Sequence, residues 1–363
     1  MTDLYHYRLP FAEPLRTANK TIADREGLIL RFRTREGEWC SEIAPLPGFS
    51  DETLAGVQDA LATILPLTDQ FFSNPFTRDE LQLFLDSLPR IASLQCGLSY
   101  LGILILAFRI GTSPMAVLSD TFSETVGVNG MTGAEEPEKL RQSLNLLAGA
   151  GFKTLKVKAP WPLNALVEIL TALQTEFPDL RFRPDANRSW PADAVPEACR
   201  LLEPLHIQYI EEPSPADSPG HFLALASQCC LPLAADETVA DMDALSAFLQ
   251  NSPDTFLILK PMLTGSLLKL SEMIDSSRPD RKGVVITSAL ETSLGREMAI
   301  LAASALGDPQ LDHGLNTGTL FRDDLMKTRP QNQPRMVLNL SSDTRMPFDR
   351  LNHQFIKKMV LLS

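Results

Sequence analysis

The chain has 363 residues, of which 44% are hydrophobic and 21% are charged, and its formal net charge is −12. This length and composition predict a soluble globular protein of two domains. The acidic balance, without any basic run, argues against a general nucleic-acid binder. The sequence begins without a signal-peptide pattern, and its apolar runs are too short to span a bilayer. We therefore expect a cytoplasmic protein with no membrane segment and with reduced cysteines.

The first third of the chain reads as strands followed by helices. Residues 1–50 alternate apolar and polar positions, which predicts an antiparallel hairpin or meander with a long polar loop. Helical patterns follow at 50–65, 79–88 and 91–108. This order is typical of an α+β domain, to which we assign residues 1–120.

Five short apolar runs between residues 153 and 261 each end in a charged residue. Their steps are 27, 26, 25 and 24 residues, and a step of about 25 residues fits one strand, one helix and two loops, the unit of a parallel βα barrel. Charges at the carboxyl ends of buried parallel strands predict an active site, because barrel enzymes carry theirs at that end. The charged residues are Lys158, Asp185, Glu211, Asp236 and Lys260.

The same strand–helix alternation extends on both sides of these runs. We expect a first barrel strand at 125–131 and a helix at 137–150, and we assign residues 121–320 to an α/β barrel. Residues 321–363 break the repeat and are expected to return toward the first domain. Further helices are predicted at 163–176, 191–202, 220–229 and 241–250, a seventh strand at 283–290, and a last segment of the repeat at 311–318.

Lys156 and Lys158 lie two residues apart on one predicted strand, so both ammonium groups point to the same face. Two lysines held together near a metal are expected to lower each other's pKa, and one can then act as a neutral base. A solvated edge strand is the alternative interpretation of this pair.

Asp185, Glu211 and Asp236 end three successive strands, so their carboxylates can converge at one rim of the barrel. Three buried anions repel one another unless a cation neutralises them, and all-oxygen ligation suits Mg²⁺ or Mn²⁺ rather than zinc. Glu212 and Glu237 point to the opposite faces by parity and are weaker ligand candidates. Helix N-caps and barrel salt bridges are the alternative interpretation.

Lys260 ends the sixth predicted strand, which lies across a closed barrel from the second, so we expect it to face Lys158 above the metal. This geometry suits removal of a proton next to a carboxylate. The metal would hold the developing enediolate, one lysine would take the proton, and the other would support the anion from the far face. No nucleophile elbow or phosphate-binding glycine loop occurs at a strand–helix junction.

Seven stretches of the sequence match landmarks of a known family. They are SEIAPLPGFSDET (41–53), KTLKVKA (153–159), RPDANRSW (183–190), YIEEP (209–213), AADET (234–238), LKP (259–261) and SALETSLG (288–295). With them the chain resembles the enolase superfamily, in its muconate-lactonizing-enzyme-like subgroup, and most closely the o-succinylbenzoate synthase family. The resemblance implies a modified (β/α)7β TIM-like barrel with an N-terminal α+β capping domain.

The resemblance also implies roles for the charged residues. Asp185, Glu211 and Asp236 match the ligands of Mg²⁺ in that family. Lys158 matches the general base, which also delivers the proton to the departing hydroxyl in a syn elimination. Lys260 matches the lysine that stabilises the enediolate from the opposite face.

Other positions are assigned by the same resemblance. Lys156 and Asn187 match supporting residues of the site. Ser288 and Gly314 match strand-end positions that contact the substrate. The loop at 15–20 matches a mobile loop that closes over the substrate.

The activity implied by the resemblance acts on a small-molecule carboxylate. It is the dehydration of 2-succinyl-6-hydroxy-2,4-cyclohexadiene-1-carboxylate to 2-succinylbenzoate in menaquinone biosynthesis. A racemase or epimerase of N-acylamino acids or dipeptides needs Lys158 and Lys260 as acid–base partners, and the sequence contains both. A cycloisomerase is a third reading, and a degenerate barrel used for binding would have lost at least one of the five charges. The sequence leaves the oligomeric state open.

Overall fold

Two sheets organise the chain, one antiparallel and one parallel. The computed structural model describes residues 1–16, 21–134, 136–239, 241–252, 254–326, 333–338 and 341–359. The antiparallel sheet has four strands, and the parallel sheet has seven. The predicted order of strands, then helices, then a strand–helix repeat is confirmed.

The antiparallel sheet begins with β1 (Thr2–Arg16), β2 (Thr21–Arg33) and β3 (Glu38–Ile43). Both of its faces are covered. Phe32 packs against Phe72 of the adjoining helices, with ring centroids 5.7 Å apart, while Tyr5 packs against Phe348 of the C-terminal segment at 4.3 Å. Burial on both faces explains why residues 28–30 of β2 are all buried instead of alternating.

The helices beside this sheet are α1 (Leu54–Ser73), α2 (Arg78–Asp86), α3 (Ala92–Ile110) and α4 (Pro114–Leu118). The prediction that the first helix ends near residue 65 is wrong. The helix continues past Pro66 because Ile64, Thr68 and Phe72 form one buried stripe across that point. Burial of this stripe outweighs the single hydrogen bond that proline removes.

Helix α3 is the apolar centre of this first part of the chain. It is long and apolar enough to suit a membrane span, yet 78% of its most apolar window is buried inside the protein. It ends at Gly111, whose φ of 72° is the left-handed conformation that glycine adopts readily. The predicted buried helix at 91–108 is therefore confirmed.

The seven parallel strands are neighbours in chain order and are joined by helices. The predicted (β/α)7β barrel is confirmed, because such connections place each new strand beside the last. Inside the barrel, Tyr209, Ala234, Ile258 and Val285 form a small apolar cluster of their own. The strands are β4 (Thr125–Gly127), β5 (Gly130–Thr132), β6 (Thr154–Lys158), β7 (Arg181–Asp185), β8 (Ile210–Glu211), β9 (Leu233–Ala235), β10 (Phe256–Leu259) and β11 (Val284–Ile286), of which β4 lies outside the parallel sheet.

Five helices of the barrel lie close to the positions predicted for them, and the three helices after residue 260 had no prediction. The helix before Gly151 ends at a left-handed φ of 93°, as the glycine suggests. The predicted helix at 191–202 begins instead as a short 3₁₀ turn over residues 192–194. The helices are α5 (Pro137–Gly149), α6 (Asn164–Glu176), α7 (Val195–Leu202), α8 (Pro219–Ala226), α9 (Met242–Asn251), α10 (Pro261–Thr264), α11 (Leu267–Ser277) and α12 (Ser293–Leu306).

The barrel is closed by a very short eighth strand. His313 and Gly314 form single parallel bridges to Val128 and Thr287. The N–H of Asn129 donates to the carbonyl of His313 at 3.0 Å, and the N–H of Gly314 donates to Ile286 at 2.9 Å. The segment predicted at 311–318 therefore completes the ring of strands.

The first predicted barrel strand, 125–131, is divided in the structure. Its first part, β4, pairs with β12 (Arg335–Val337) of the tail, whereas β5 joins the parallel sheet. The division arises because the tail competes for the backbone: the N–H of Val128 donates to the carbonyl of Pro334.

The C-terminal segment contacts both parts of the chain. Its last strand, β13 (Ile356–Lys358), pairs with β1, with His6 opposite Lys357. The N–H of Met346 donates to the carbonyl of Glu38 at 2.9 Å. The domain limits drawn from the sequence stay a prediction.

Candidate active site

The carboxyl ends of five successive parallel strands meet at one rim. Lys158, Asp185 and Glu211 end β6, β7 and β8, and they stand opposite one another in the strand register. Asp236 and Lys260 each follow their strand by one residue. All five charged residues predicted from the sequence are therefore placed at the same end of the barrel.

Each lysine at this rim pairs with a carboxylate. The Nζ of Lys156 lies 2.6 Å from Oε1 of Glu211 and 3.1 Å from Oδ2 of Asp185. The Nζ of Lys158 lies 3.0 Å from the same Asp185 oxygen. Lys260 donates to both oxygens of Asp236, at 2.6 and 2.7 Å.

The carboxylates are almost fully buried. Asp185, Glu211 and Asp236 are 2%, 1% and 6% exposed. Burial opposes ionisation of Asp185, but Lys156 and Lys158 outweigh it and hold the pKa of that carboxyl below its ordinary value. Burial and the charges of Asp185 and Asp236 together raise the pKa of Glu211.

In this arrangement the pKa of Lys156 is raised, and the lower lysine pKa expected beside a metal stays a prediction. Burial by itself lowers the pKa of Lys156, but attraction to Asp185 and Glu211 is stronger and raises it well above the ordinary value. The pKa of Lys260 is also raised, because Asp236 and Glu237 outweigh the effect of burial. The carboxylates beneath Lys156 determine this direction, whereas the prediction concerned two lysines beside a bound metal.

Asn187 lies beside Lys158, where the resemblance placed a supporting residue. Its Oδ1 accepts a hydrogen bond from Nζ of Lys158, and its backbone N–H donates to Oδ1 of Asp185 at 3.1 Å. Its φ of 44° is left-handed, a conformation that asparagine tolerates better than most residues. This backbone turn directs the amide back over the strand end.

Ser288 and Gly314 meet at the seam where the barrel closes. The N–H of Ser288 donates to the carbonyl of Gly314 at 3.0 Å. The Ser288 hydroxyl accepts from the N–H of Leu290 at 3.1 Å and shares a 2.7 Å hydrogen bond with the hydroxyl of Thr317. The structure brings these two predicted residues together, and their contact with a substrate stays a prediction.

Glu212 is a supporting residue whose role the sequence did not reveal. It is fully buried with a φ of 38°, and its Oε2 accepts the backbone N–H groups of Asp236 at 2.8 Å and Thr238 at 3.2 Å. Arg188 donates to its Oε1 at 3.0 Å. The parity argument is consistent with this position, since Glu212 points behind the rim and ties three strand-end loops together.

Phe49 reaches the rim from the first part of the chain. Its side chain is 42% exposed, and the Nζ of Lys260 lies 5.8 Å from its ring centroid. Phe49 lies in the turn formed by residues 45–50. This turn belongs to one of the family landmarks in the sequence, but no contact with the rim was predicted for it. The proposed closing loop at 15–20 lies mostly outside the described residues, which stop at 16 and resume at 21.

Asp185, Glu211 and Asp236 are the residues that could hold a divalent cation. Within the described ranges, no three His, Cys, Asp or Glu side chains already stand close enough to hold one together. Nevertheless the donor set fits such an ion, because it consists of hard carboxylate oxygens on neighbouring strand ends. The raised pKa of Glu211 agrees with this, since a bound cation would offset the burial and the neighbouring charges that oppose ionisation of this carboxyl.

Comparison with protein families gives two matches. The family described as "MenC, N-terminal domain" matches residues 1–79, and the one described as "Enolase C-terminal domain-like" matches residues 139–336. Together they cover three of the four strands of the antiparallel sheet, most of the barrel and every charged residue of the rim.

Curated relatives named o-succinylbenzoate synthase match over nearly their full length. The protein from Edwardsiella ictaluri is 30% identical, over 90% of this chain and 93% of the relative. The one from Vibrio cholerae serotype O1 is 30% identical, over 92% and 94%. The one from Pasteurella multocida is 28% identical, over 95% and 96%.

Solved structures share the fold at lower identity. A probable mandelate racemase from Alicyclobacillus acidocaldarius has a TM-score of 0.83 at 19% identity, covering 97% of this chain and 94% of that one. A dipeptide epimerase from Enterococcus faecalis, solved with Mg and the dipeptide L-Leu-L-Tyr, has a TM-score of 0.80 at 19% identity, with 94% and 98% covered. These similarities establish the barrel architecture alone.

Proposed function

The chain belongs to the o-succinylbenzoate synthase family of the enolase superfamily, and from this premise we propose how its residues carry the reaction. It is a carbon–oxygen lyase that dehydrates 2-succinyl-6-hydroxy-2,4-cyclohexadiene-1-carboxylate to 2-succinylbenzoate. The observation that carries the assignment of residues is the pairing at the rim: Lys158 and Lys260 bind different carboxylates, Asp185 and Asp236.

Lys158 acts first as a base. It removes the proton from the ring carbon that bears the carboxylate, and the electron pair of that C–H bond moves into the carboxylate as an enediolate. The pair then returns to the ring and expels the hydroxyl group, which takes the same proton from Lys158 and leaves as water. No electrons are gained or lost overall, and the ring becomes aromatic.

Lys260 balances the negative charge that develops on the substrate carboxylate. A fixed ammonium group in a buried site stabilises such a charge more strongly than water does. Lys260 is held in place by two hydrogen bonds to Asp236, at 2.6 and 2.7 Å. Lys156, paired with Asp185 and Glu211, keeps those carboxylates oriented.

Asp185, Glu211 and Asp236 hold Mg²⁺ in this proposal, with Mn²⁺ as the alternative, because hard carboxylate oxygens suit both ions. When bound, the ion polarises the substrate carboxylate and makes the adjacent proton more acidic.

The five cysteines are free, and three of them are buried, which supports the inference that the protein works in the reducing cytoplasm.

The direct test is the loss of cyclohexadiene absorbance on adding purified protein and Mg²⁺. We expect turnover that stops with EDTA, returns with Mg²⁺, and is lost in Lys158→Ala. Turnover by Lys158→Ala at the wild-type rate would overturn the role of the base. If folded protein that binds Mg²⁺ shows no turnover of this substrate, the proposed reaction is wrong.

Racemisation of an N-acylamino acid is the second candidate. Lys158 at the end of β6 and Lys260 after β10 are the two acid–base groups that this reaction needs. The test is exchange of the α-proton of N-succinylamino acids in D₂O. Exchange that depends on both Lys158 and Lys260, without dehydration, would favour this candidate over the lyase.

A further inference from the structure

Glu237 is a carboxylate beside the rim that the mechanism above does not use. Its Oε1 accepts a hydrogen bond from Nδ2 of Asn187 at 3.2 Å. Its Oε2 is buried and has no hydrogen-bond partner among the described residues. From the sequence, Glu237 is only a weaker candidate for a metal ligand than Asp236. Its hydrogen bond to Asn187 indicates a different role.

Asn187 connects Glu237 to Lys158. An asparagine amide has an end that donates and an end that accepts. Here the donating end faces Glu237 and the accepting end, Oδ1, faces Nζ of Lys158. The backbone of Asn187 is held separately by its N–H bond to Asp185 at 3.1 Å, so rotation of the amide is the remaining freedom.

We propose that Glu237 is a positioning residue for the lysine base, acting through the amide of Asn187. This inference rests on the proposed role of Lys158. By accepting from Nδ2, Glu237 selects the amide orientation that presents an acceptor to Lys158. One N–H of Lys158 then donates to Asn187. This bond fixes the amine so that the side of Nζ that takes the proton faces the substrate.

The opposite amide orientation is unfavourable for a simple reason. It would point an Nδ2–H of Asn187 at Nζ of Lys158, where it meets either the donors of the ammonium form or the lone pair that the neutral amine needs to take the proton. A hydrogen bond would be lost, and Lys158 could turn away from the substrate. The role requires only an accepting oxygen on Glu237, and the neutral acid keeps one as well.

The surrounding loops are secured by other contacts. Arg188 binds Glu212 at 3.0 Å and the hydroxyl of Thr238 at 3.2 Å. The N–H of Trp190 donates to the carbonyl of Pro213 at 2.9 Å. Removing the Glu237 carboxylate therefore leaves the backbone of the rim supported, so a variant can be tested as a folded protein.

Two substitutions separate the acceptor from the charge. Glu237→Gln and Glu237→Leu both remove the charge, but only glutamine keeps an oxygen that can accept from Asn187. We expect Glu237→Gln to retain kcat within about threefold and Glu237→Leu to lower kcat by about ten- to a hundredfold, with KM changed by less than about threefold, as for loss of one important hydrogen bond. Glu176→Leu, at an exposed glutamate in α6, is the control for the substitution itself and should match the wild type.

A double-mutant cycle with Asn187→Ala tests the route. The effect of Glu237→Leu should largely disappear when Asn187 is already alanine, because the two residues act in series. The primary deuterium isotope effect on kcat should rise in Glu237→Leu as proton removal becomes slower. Equal losses in the glutamine and leucine variants, or a leucine effect that persists without Asn187, would overturn the proposal.

A readout that does not need turnover separates this inference from the proposed function. The side-chain amide signal of Asn187 in a ¹⁵N–¹H spectrum, assigned by its loss in Asn187→Ala, should shift in Glu237→Leu and much less in Glu237→Gln. An inactive wild type with this pattern would reject the proposed reaction and retain the hydrogen-bonded relay. An unshifted signal in Glu237→Leu would reject the relay whatever the activity.

Discussion

Arg25, on the antiparallel sheet, donates its Nε–H to the carbonyl of Leu290 in the barrel at 3.0 Å. The rest of the guanidinium bonds to the carbonyls of Ala44 and Pro45, at 2.5 and 2.6 Å. Arg25 is 1% exposed, and Leu290 has a left-handed φ of 62°. One buried side chain therefore ties β2 to the loop that follows Ser288, and through it the two parts of the chain are held in one arrangement.

Substitution of Arg25 should destabilise the protein strongly. Arg25→Met leaves buried carbonyls without donors, and we expect a loss of about 3 kcal/mol in the free energy of unfolding, measured by urea denaturation. Arg8→Met is the matched control, since Arg8 is 65% exposed in its ion pair with Asp24, and it should cost less than about 1 kcal/mol. Equal shifts of the two urea midpoints would contradict this role of Arg25.

Glu42 makes a second connection of the same kind. Its carboxylate is buried and accepts from Tyr7, from the backbone and hydroxyl of Thr292, and from the N–H of Gly295. We expect Glu42→Leu to cost about 3 kcal/mol or more, because it leaves the buried donors of Tyr7, Thr292 and Gly295 without their acceptor. Glu42→Gln should cost less, since its amide oxygen still accepts. Denaturant midpoints of the two variants measure the difference, and a leucine variant as stable as the glutamine variant would be inconsistent with it.

Stability should fall in mild acid because of His313. Burial, together with the charge of Arg183, lowers the pKa of His313 to about 3, from an ordinary value of 6.5. The unfolded state therefore binds a proton first as pH falls, so stability is lost below about pH 6.5, by about 2 kcal/mol at pH 5. Urea midpoints measured from pH 7.5 to pH 5 should drop less in His313→Asn, whose side-chain oxygen can still accept from Ile286. His206→Asn, at an exposed histidine, should keep the wild-type slope, and an equal slope in all three proteins would argue against His313 as the cause.

Metal binding should depend on the carboxylates of the rim. We expect Asp236→Asn to weaken Mg²⁺ binding at least about tenfold in calorimetric titrations, because one charged ligand is lost. Mg²⁺ at about 100 times its Kd should stabilise the wild type by about 2.7 kcal/mol, and the variant less at the same concentration. Asp217→Asn, at an exposed aspartate, is the control and should bind as the wild type does. Unchanged binding by the Asp236 variant would remove this residue from the ligand set.

Phe49 should contribute to substrate binding. Its exposed ring stands 5.8 Å from Nζ of Lys260, so an apolar ring system bound at the rim can pack against it. We expect Phe49→Ala to raise KM about tenfold with a smaller change in kcat. Leu67→Ala, at a 56% exposed residue of α1, is the control for loss of an exposed apolar side chain. A variant with unchanged KM would place Phe49 outside the binding surface.

The charged rim could be predicted from the sequence because each βα unit repeats the same local geometry. The near-constant sequence spacing of these charges places one of them at the end of each strand. Parallel pairing then brings neighbours such as Lys158 and Asp185 into register. Parity within a strand also separates Glu211 from Glu212. These inferences need only local periodicity and the topology of a parallel barrel.

Features that depend on distant segments could not be predicted in this way. The division of the first barrel strand depends on residues more than two hundred positions later, where β12 pairs with β4. The contact of Phe49 with Lys260 depends on how the two parts of the chain pack. The pKa of Lys156 depends on Asp185 and Glu211, whose positions beside it only the folded barrel determines.

The pairing of β13 with β1 has a consequence for the order in which the protein is made. Residues 5–7 pair with residues 356–358, which are synthesised after the whole barrel sequence. The edge of β1 therefore stays open until residues 356–358 have been made, and an unpaired strand edge invites pairing with other chains. A chain interrupted just before residue 356 would contain the whole barrel sequence beside a sheet that lacks its edge strand, so the antiparallel sheet is completed after the barrel has been synthesised.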